Sequence, residues 1–442
     1  MPISRKPLSK AEKSLVAVCV LVVLPLSALV FLYGGRDAEP RWDIAADTPR
    51  PTPNGYDFYV AAAKATVRFT PEVDAASDGT SEDRTPGSPY ALKNYSLARR
   101  QQWLGANAPA FALVNKGLAT PSMAPVYMPM SMSSDWGKMR QLARDMSARA
   151  HTFQMANQPM RATMSALDTI QMAQDTTRGG GLLPRLVGIA ISAIGRGPLD
   201  DWNKTVNALS GEEARSAAQR LEAILEREPS TAQTQTIAKR ESLLELRRIL
   251  DTPGWRKILV PSPKGSTLRQ GLSQLWQTQS VSKQTIYENM SRALDAQVSN
   301  AALPYSQSQK SKSSPDLDIF TKYLTGMSSN RFGQNEARQT TANTMLLLRL
   351  ALRSYIAQHG AAPPTLAALV PGILKKIPTD VYNDGKPLFY TPQGKTYKLW
   401  SIGSDGINNG GVPLARRNGD KGLAPVQDTL INTGDFVAGL CR

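Results

Sequence analysis

Near the end of the chain, LWSIGSDGINNGG (Leu399 to Gly411) gathers one carboxylate, two carboxamides and four glycines behind a short apolar run. Oxygen donors of these kinds suit a hard cation. Ca2+ takes about six to eight oxygens from carboxylates, amides and backbone carbonyls. The spacing is not that of an EF-hand, because Ile407 and Arg416 stand where a ligand and the closing glutamate belong. Residue types alone leave two readings, a glycine-rich turn and an ion site.

A second group of residues is soft. Ten of the 14 methionines lie between Met123 and Met172, with Met128, Met130 and Met132 in VYMPMSM. Thioethers suit Cu(I). Met139, Met146, Met160 and Met164 nevertheless recur at helical spacing among leucine and alanine, as core filler does. Core packing is the expectation, and copper binding the alternative. Catalysis has little to draw on. His151 and His359 are the only histidines, and neither G-x-S-x-G nor H-E-x-x-H occurs. Adjacent Asp200 and Asp201 point apart on a helix and read as a solvated helix start. Gly179, Gly180 and Gly181 lack a following GKS or GKT, so they read as a flexible helix connection rather than a phosphate loop. The balance is against an enzyme, with an envelope hydrolase as the third function class.

These residues hang on a chain of 442 residues, long enough for two or three domains. Ser14 to Tyr33 contains no charged residue, and its 20 residues are long enough to cross a bilayer. Arg5, Lys6, Lys10 and Lys13 precede it, which puts residues 1–13 in the cytoplasm and the bulk outside a bacterial inner membrane. An uncleaved single-pass anchor is expected, since Leu26 spoils the cleavage site around Ala28. Cys19 and Cys441 are the only cysteines and cannot staple a domain.

The fold expected is mainly α, with residues 34–55 as a Pro-rich linker and 56–333 as a helical exported region. Asn54, Ser210 and Ser230 are placed as helix caps, Ser210 with Glu213 as a capping box. Leu182 to Ile194 reads as a buried helix, too short for a second span. Asp74 to Ser88 reads as a loop, and polar residues 306–316 as a mobile one. A long helix, Gln334 to His359, opens the last region, 334–442. Gly360, Pro363 and Pro364 stop it. KPLFYT and TYKLWSIG then alternate as a β-hairpin turning at Gly394–Lys395.

The order of helix, HGAAPPTLAALVPGILKKIPTD, GKPLFY, YKLWSIGSDGINNGG and GDFVAGL resembles the C-terminal part of the major pseudopilin of type II secretion systems, over residues 336–442. The resemblance implies a small α/β tail with a calcium ion after the hairpin. By position it implies Asp405, Asp435 and the Ile402 carbonyl as ligands, with Asn408 and Asn409 adding amide oxygens. Arg416, Arg417 or Lys421 is the other positive group that could stand between the two aspartates. The pseudopilin's processed glycine and its glutamate are missing from the apolar N-terminus, so polymerisation as a pilin is not expected. The whole chain is similar to an uncharacterised group of membrane-anchored bacterial envelope proteins, through NGYDF (Asn54 to Phe58) and LPRLVGIA (Leu183 to Ala190).

The formal charge is +16, from 52 Lys and Arg against 36 Asp and Glu. That suits a membrane surface or an anionic envelope polymer. The basic residues are scattered and no nucleic-acid motif accompanies them, so no nucleic-acid partner is expected. The first function expected is a structural or protein-interaction role in the envelope, associated with a secretion or pilus-like system. The second is metal handling, with calcium in the tail or copper at the methionines.

Overall fold

The computed structural model describes residues 39–67, 95–125, 133–200, 204–256, 281–310, 329–412 and 436–438. The expected anchor at 14–33, the loop at 74–88, both cysteines and Met128, Met130 and Met132 lie outside the described residues. Those described are mainly helical. In chain order the helices are α1 (Gly55–Ala65), α2 (Leu97–Ala106), α3 (Ala108–Ala119), α4 (Ser133–Met155), α5 (Pro159–Asp175) and α6 (Leu182–Asp200). They continue as α7 (Lys204–Asn207), α8 (Gly211–Leu225), α9 (Thr231–Leu250), α10 (Lys283–Ala301), α11 (Tyr305–Lys310) and α12 (Ser329–His359). Strands β1 (Phe389–Gln393), β2 (Thr396–Ser401) and β3 (Phe436–Ala438) form one antiparallel sheet in that order.

The helix starts are chemical. Asn54 Oδ1 accepts from Tyr56 N–H at the start of α1. Ser210 and Glu213 form the expected reciprocal box, at 3.2 and 2.8 Å. Ser230 and Gln233 repeat it ahead of α9, at 3.2 and 2.9 Å. Each box satisfies two N–H groups that a helix end would leave bare. Gly360, at φ 74°, ends α12 in the left-handed region that a side chain resists. Gly394, at φ 64°, turns the hairpin between Gln393 and Thr396.

The chain divides into two compact units. The larger comprises residues 47–241, 298–312 and 328–442. It has two main cores. In one, Tyr56 and Tyr59 of α1, Trp103 of α2 and Phe111 of α3 meet Trp136, Met139, Leu142 and Met146 of α4, with Val187 and Ile191 of α6. In the other, α5, α8 and α12 pack together, and the hairpin adds Tyr397 and Leu399. The C-terminal helix and hairpin therefore share a core with the helices before them.

Helix α6 is the one described helix long and apolar enough to cross a membrane by length and composition. Its apolar residues enter both cores instead, as a buried helix requires. It lies close on α5 because Gly188 and Gly195 face that helix. A Cβ at Gly188 would come within 2.9 Å of the Ala173 carbonyl oxygen, and one at Gly195 within 2.9 Å of Thr169 Cβ.

Three local expectations change. The three glycines before α6 are not a slack connection. A Cβ at Gly181 would lie 2.2 Å from Glu241 Oε2, and one at Gly180 2.6 Å from Pro184 Cβ. Asp200 ends α6 rather than starting a helix, and Asp201 lies outside the described residues. Of the expected loop at 306–316, Ser306 to Lys310 is helical within α11. Pro304 accepts the first bonds there, and Ser308 Oγ donates to the Tyr305 carbonyl.

The smaller unit takes residues 1–46, 242–297 and 313–327. Its core sets Leu243, Leu246, Ile249, Leu250 and Trp255 against Ile286, Tyr287, Met290 and Leu294, with Trp42 and Ile44 packed on it. Part of the expected linker is therefore docked structure.

Candidate functional site

The C-terminal loop is positioned by a buried carboxylate. Asp380, from the P-T-D element, has no exposed surface. Its Oδ1 accepts from Ser401 Oγ at 2.8 Å and from Tyr382 N–H at 3.0 Å. Its own N–H donates to the Lys386 carbonyl at 2.7 Å. Burial pushes the Asp380 carboxyl above its ordinary range, against the hydrogen bonds from Ser401 and from the Tyr382 and Ile402 amides. Oδ2 is buried and has no hydrogen-bond partner. The P-T-D and S-I-G segments are thus locked together. Tyr390 OH, donating to the Pro363 carbonyl at 2.7 Å, ties β1 to the P-P-T-L segment.

Beyond β2 the expected ligands Ile402, Asp405, Asn408 and Asn409 fall in one loop. Asp405 Oδ1 accepts from Ile407 N–H at 3.1 Å, and Asn409 Nδ2 donates to the Ile407 carbonyl at 3.3 Å. Asn408 Oδ1 accepts two donors, Trp400 Nε1 at 3.0 Å and Gly410 N–H at 2.9 Å. Both of its lone pairs are engaged. Lys398 Nζ donates to the Gly410 carbonyl at 2.5 Å and lies 5.5 Å from the Trp400 ring centre. A positive charge from β2 therefore already serves this loop. Asp435 lies outside the described residues. β3 pairs with β2, with Phe436 opposite Ser401. Among the described residues, no three His, Cys, Asp or Glu side chains converge as a metal site.

The other residues singled out in the sequence are packed or locally bonded. Met139, Met146 and Met172 are fully buried core residues, and Met160 and Met164 flank the second core. His151 Nδ1 lies 2.7 Å from Gln154 Oε1. The His359 ring stacks on Tyr355 at 4.0 Å. Asn54 of NGYDF also bonds both backbone groups of Met123, through Oδ1 and Nδ2, each at 3.0 Å. Immediately after the motif, Tyr59 OH donates to Asp175 Oδ2 at 2.9 Å, and burial pushes the Asp175 carboxyl up. That motif is a packing device.

Sequence reasoning missed a buried polar seam between α6 and α12. Arg185 Nε donates to Glu336 Oε1 at 2.6 Å, while its Nη2 pairs with Glu228. Burial alone would lower the Arg185 guanidinium, but the two carboxylates outweigh it and raise it. Three turns on, Arg196 Nη1 donates to Gln339 Oε1 and Asn343 Oδ1, both at 2.7 Å, and to Ser192 Oγ at 3.3 Å. Burial lowers Arg196, opposed by the more distant Asp200 and Glu228. Arg349 Nη2 donates to the Leu199 carbonyl at 3.1 Å, and Arg353 holds the Leu209 carbonyl at 2.8 and 2.6 Å. The signal was present but one-sided. Arg185 and Arg196 are 11 apart, which puts them on one face of α6. Such a seam stores no nucleophile. It fixes the register of α12 against α6, because a slip would strand buried charges.

The chain matches no family model, no curated protein and no solved structure.

Proposed function

We propose that this chain is an envelope protein, anchored through residues 14–33, with a structural role of holding other envelope proteins, associated with a secretion or pilus-like assembly. One observation carries the reading. The pseudopilin-like tail is built rigidly into the helical body: its helix α12 is keyed to α6 by buried charges, and its hairpin shares the α5–α8–α12 core. A tail held that way is a fixed display surface rather than a polymerising subunit. The uncharged run and its basic flank supply the support for the anchor.

The test has two parts. A reporter fused after Arg442 is active only outside the cytoplasm, and activity inside overturns the topology. Photocrosslinking groups at the exposed positions Lys395 and Asn409 capture discrete envelope proteins in intact cells. Adducts that vanish on Arg185→Met, with the chain still present, support a display surface. An absence of adducts from both positions overturns it.

Calcium in the tail is the second reading. The placement of Phe436 opposite Ser401 supports it, because Asp435 immediately precedes Phe436 in the chain.

A further inference from the structure

Asparagine precedes glycine at residues 54, 409 and 418, and the fold treats the first two pairs in opposite ways; the third lies outside the described residues. An asparagine in this position is set to react with its own backbone, because glycine has no Cβ to shield the next peptide nitrogen. The outcome depends on how firmly that nitrogen and the carboxamide are held, and on whether water reaches them.

Asn54–Gly55 is locked. Asn54 is buried, and its Oδ1 accepts from Tyr56 N–H at 3.1 Å and from Met123 N–H at 3.0 Å. Its Nδ2 donates to the Met123 carbonyl at 3.0 Å, and the Gly55 N–H donates to the Pro121 carbonyl at 2.9 Å. The Thr120 carbonyl oxygen stands 2.7 Å from where a Cβ of Gly55 would be, so no room is left for the side chain to fold over.

Asn409–Gly410 is exposed at the loop after β2. Nothing lies within 4 Å of where a Cβ of Gly410 would be, and Gly410 sits at φ 67°, in the left-handed region that glycine enters without strain. Asn409 Nδ2 donates to the Ile407 carbonyl at 3.3 Å, a long bond. The Gly410 N–H donates at 2.9 Å to Asn408 Oδ1, an acceptor that Trp400 Nε1 shares at 3.0 Å. Lys398 Nζ is held on the Gly410 carbonyl at 2.5 Å, so a positive charge is fixed on the same residue as the peptide nitrogen. A cation there favours loss of that nitrogen's proton.

We propose that Asn409–Gly410 is a self-modification site, promoted by Lys398 and using water as its co-reactant. Hydroxide takes the Gly410 amide proton. The nitrogen attacks Asn409 Cγ, and a new C–N bond closes a cyclic imide. The bond from Cγ to Nδ2 breaks, and ammonia leaves after taking a proton from water. The charge on Lys398 stabilises the anionic nitrogen and the oxyanion that forms at Cγ. Water then opens the imide at one of its two carbonyls. One product is aspartate; the other is isoaspartate, whose backbone runs through Cβ. No electrons are exchanged. The loop trades a carboxamide for a carboxylate and then holds two, residue 409 and Asp405. The reaction does not depend on whether the loop takes calcium.

The experiment incubates the purified full chain at mildly alkaline pH in heavy-oxygen water, then digests it in ordinary water and maps the peptides by mass spectrometry. The heavy label separates conversion during incubation from conversion during digestion. Residue 409 converts at least about tenfold faster than residue 54, where four hydrogen bonds must open first. The rate at 409 rises with pH, as removal of the amide proton requires. Lys398→Gln slows conversion at 409 about threefold, the size expected of one exposed charge, and leaves residue 54 unchanged. A lysine that only stiffened the loop would quicken the reaction on removal. Gly410→Ala slows it further, because a Cβ then shields the nitrogen. Equal rates at 409 and 54 in the unaltered chain overturn the proposal. So does a rate at 409 that is unchanged or faster in Lys398→Gln.

Discussion

Arg185→Met asks how much the seam between α6 and α12 holds. The side chain is nearly inaccessible and bridges two carboxylates, one on α12 and one beyond α8. Removing it leaves Glu228 and Glu336 facing one another without a cation. Breaking a buried pair by deleting one partner costs about 3–5 kcal/mol, because the remaining charge stays desolvated. Methionine keeps most of the apolar stem, so lost packing adds little. The assay is hydrogen exchange of the α6 and α12 amides, which reads the opening of these helices directly. Exchange accelerates by about two to four orders of magnitude. Adding Glu228→Gln and Glu336→Gln recovers most of the loss, because a neutral seam has no stranded charge. A change below about 1 kcal/mol refutes the reasoning: it means that water reaches the pair and screens it. Failure of the two glutamines to restore protection refutes it as well.

Four further outcomes follow from other parts of the molecule. Asp380→Ala loosens the hairpin, measured as lost exchange protection in β2, whereas Asp380→Asn keeps the acceptor toward Ser401 and is tolerated. Burial raises this carboxyl in the folded state, so the stability that its proton supplies is complete below about pH 3.9 and is lost as pH rises through the folded value; Asp380→Asn flattens that slope in pH-dependent melts. Gly181→Ala destabilises by about 1–3 kcal/mol in thermal melts, because its Cβ would meet Glu241 and Ala238, while Gly105→Ala, with open space around it, gains up to about 1 kcal/mol. If the tail takes calcium, a hundredfold excess over Kd stabilises the full chain by about 2.7 kcal/mol, and Asp405→Ala abolishes the gain; an unchanged melt with chelator disposes of the ion and leaves a turn braced by Lys398.

The fold was legible where the signal is local. Caps at Asn54, Ser210 and Ser230, the 3.6-residue period of α4, α5 and α12, and the two-residue period of the hairpin each depend on neighbours within a few positions. Trp42 and Ile44 were misread because the Pro, Asp and Arg around them have the composition of a linker. Two apolar side chains spaced two apart were the available sign that this stretch lies against something. The three glycines before α6 failed similarly. Sequence shows that a side chain is absent but not what stands in its place, and here it is Glu241, 60 residues away.

The candidate sites divide along the same line. Asp405, Asn408 and Asn409 are close in sequence, so their sharing one loop could be read directly. What each oxygen bonds could not, because Trp400 Nε1 and Lys398 Nζ reach the loop only once β2 is laid down. Asp380 stood out as part of a short element, yet its meaning lies with Ser401, 21 residues later and across a turn. The seam is the extreme case. Arg185 and Arg196 mark a polar stripe on an apolar helix, and that much is local. Their partners Glu336, Gln339 and Asn343 lie some 150 positions on. On α12 they look like the ordinary wet side of an amphipathic helix. A buried charge declares itself only through the opposite charge that comes to meet it, and the sequence carries the two halves without stating that they meet.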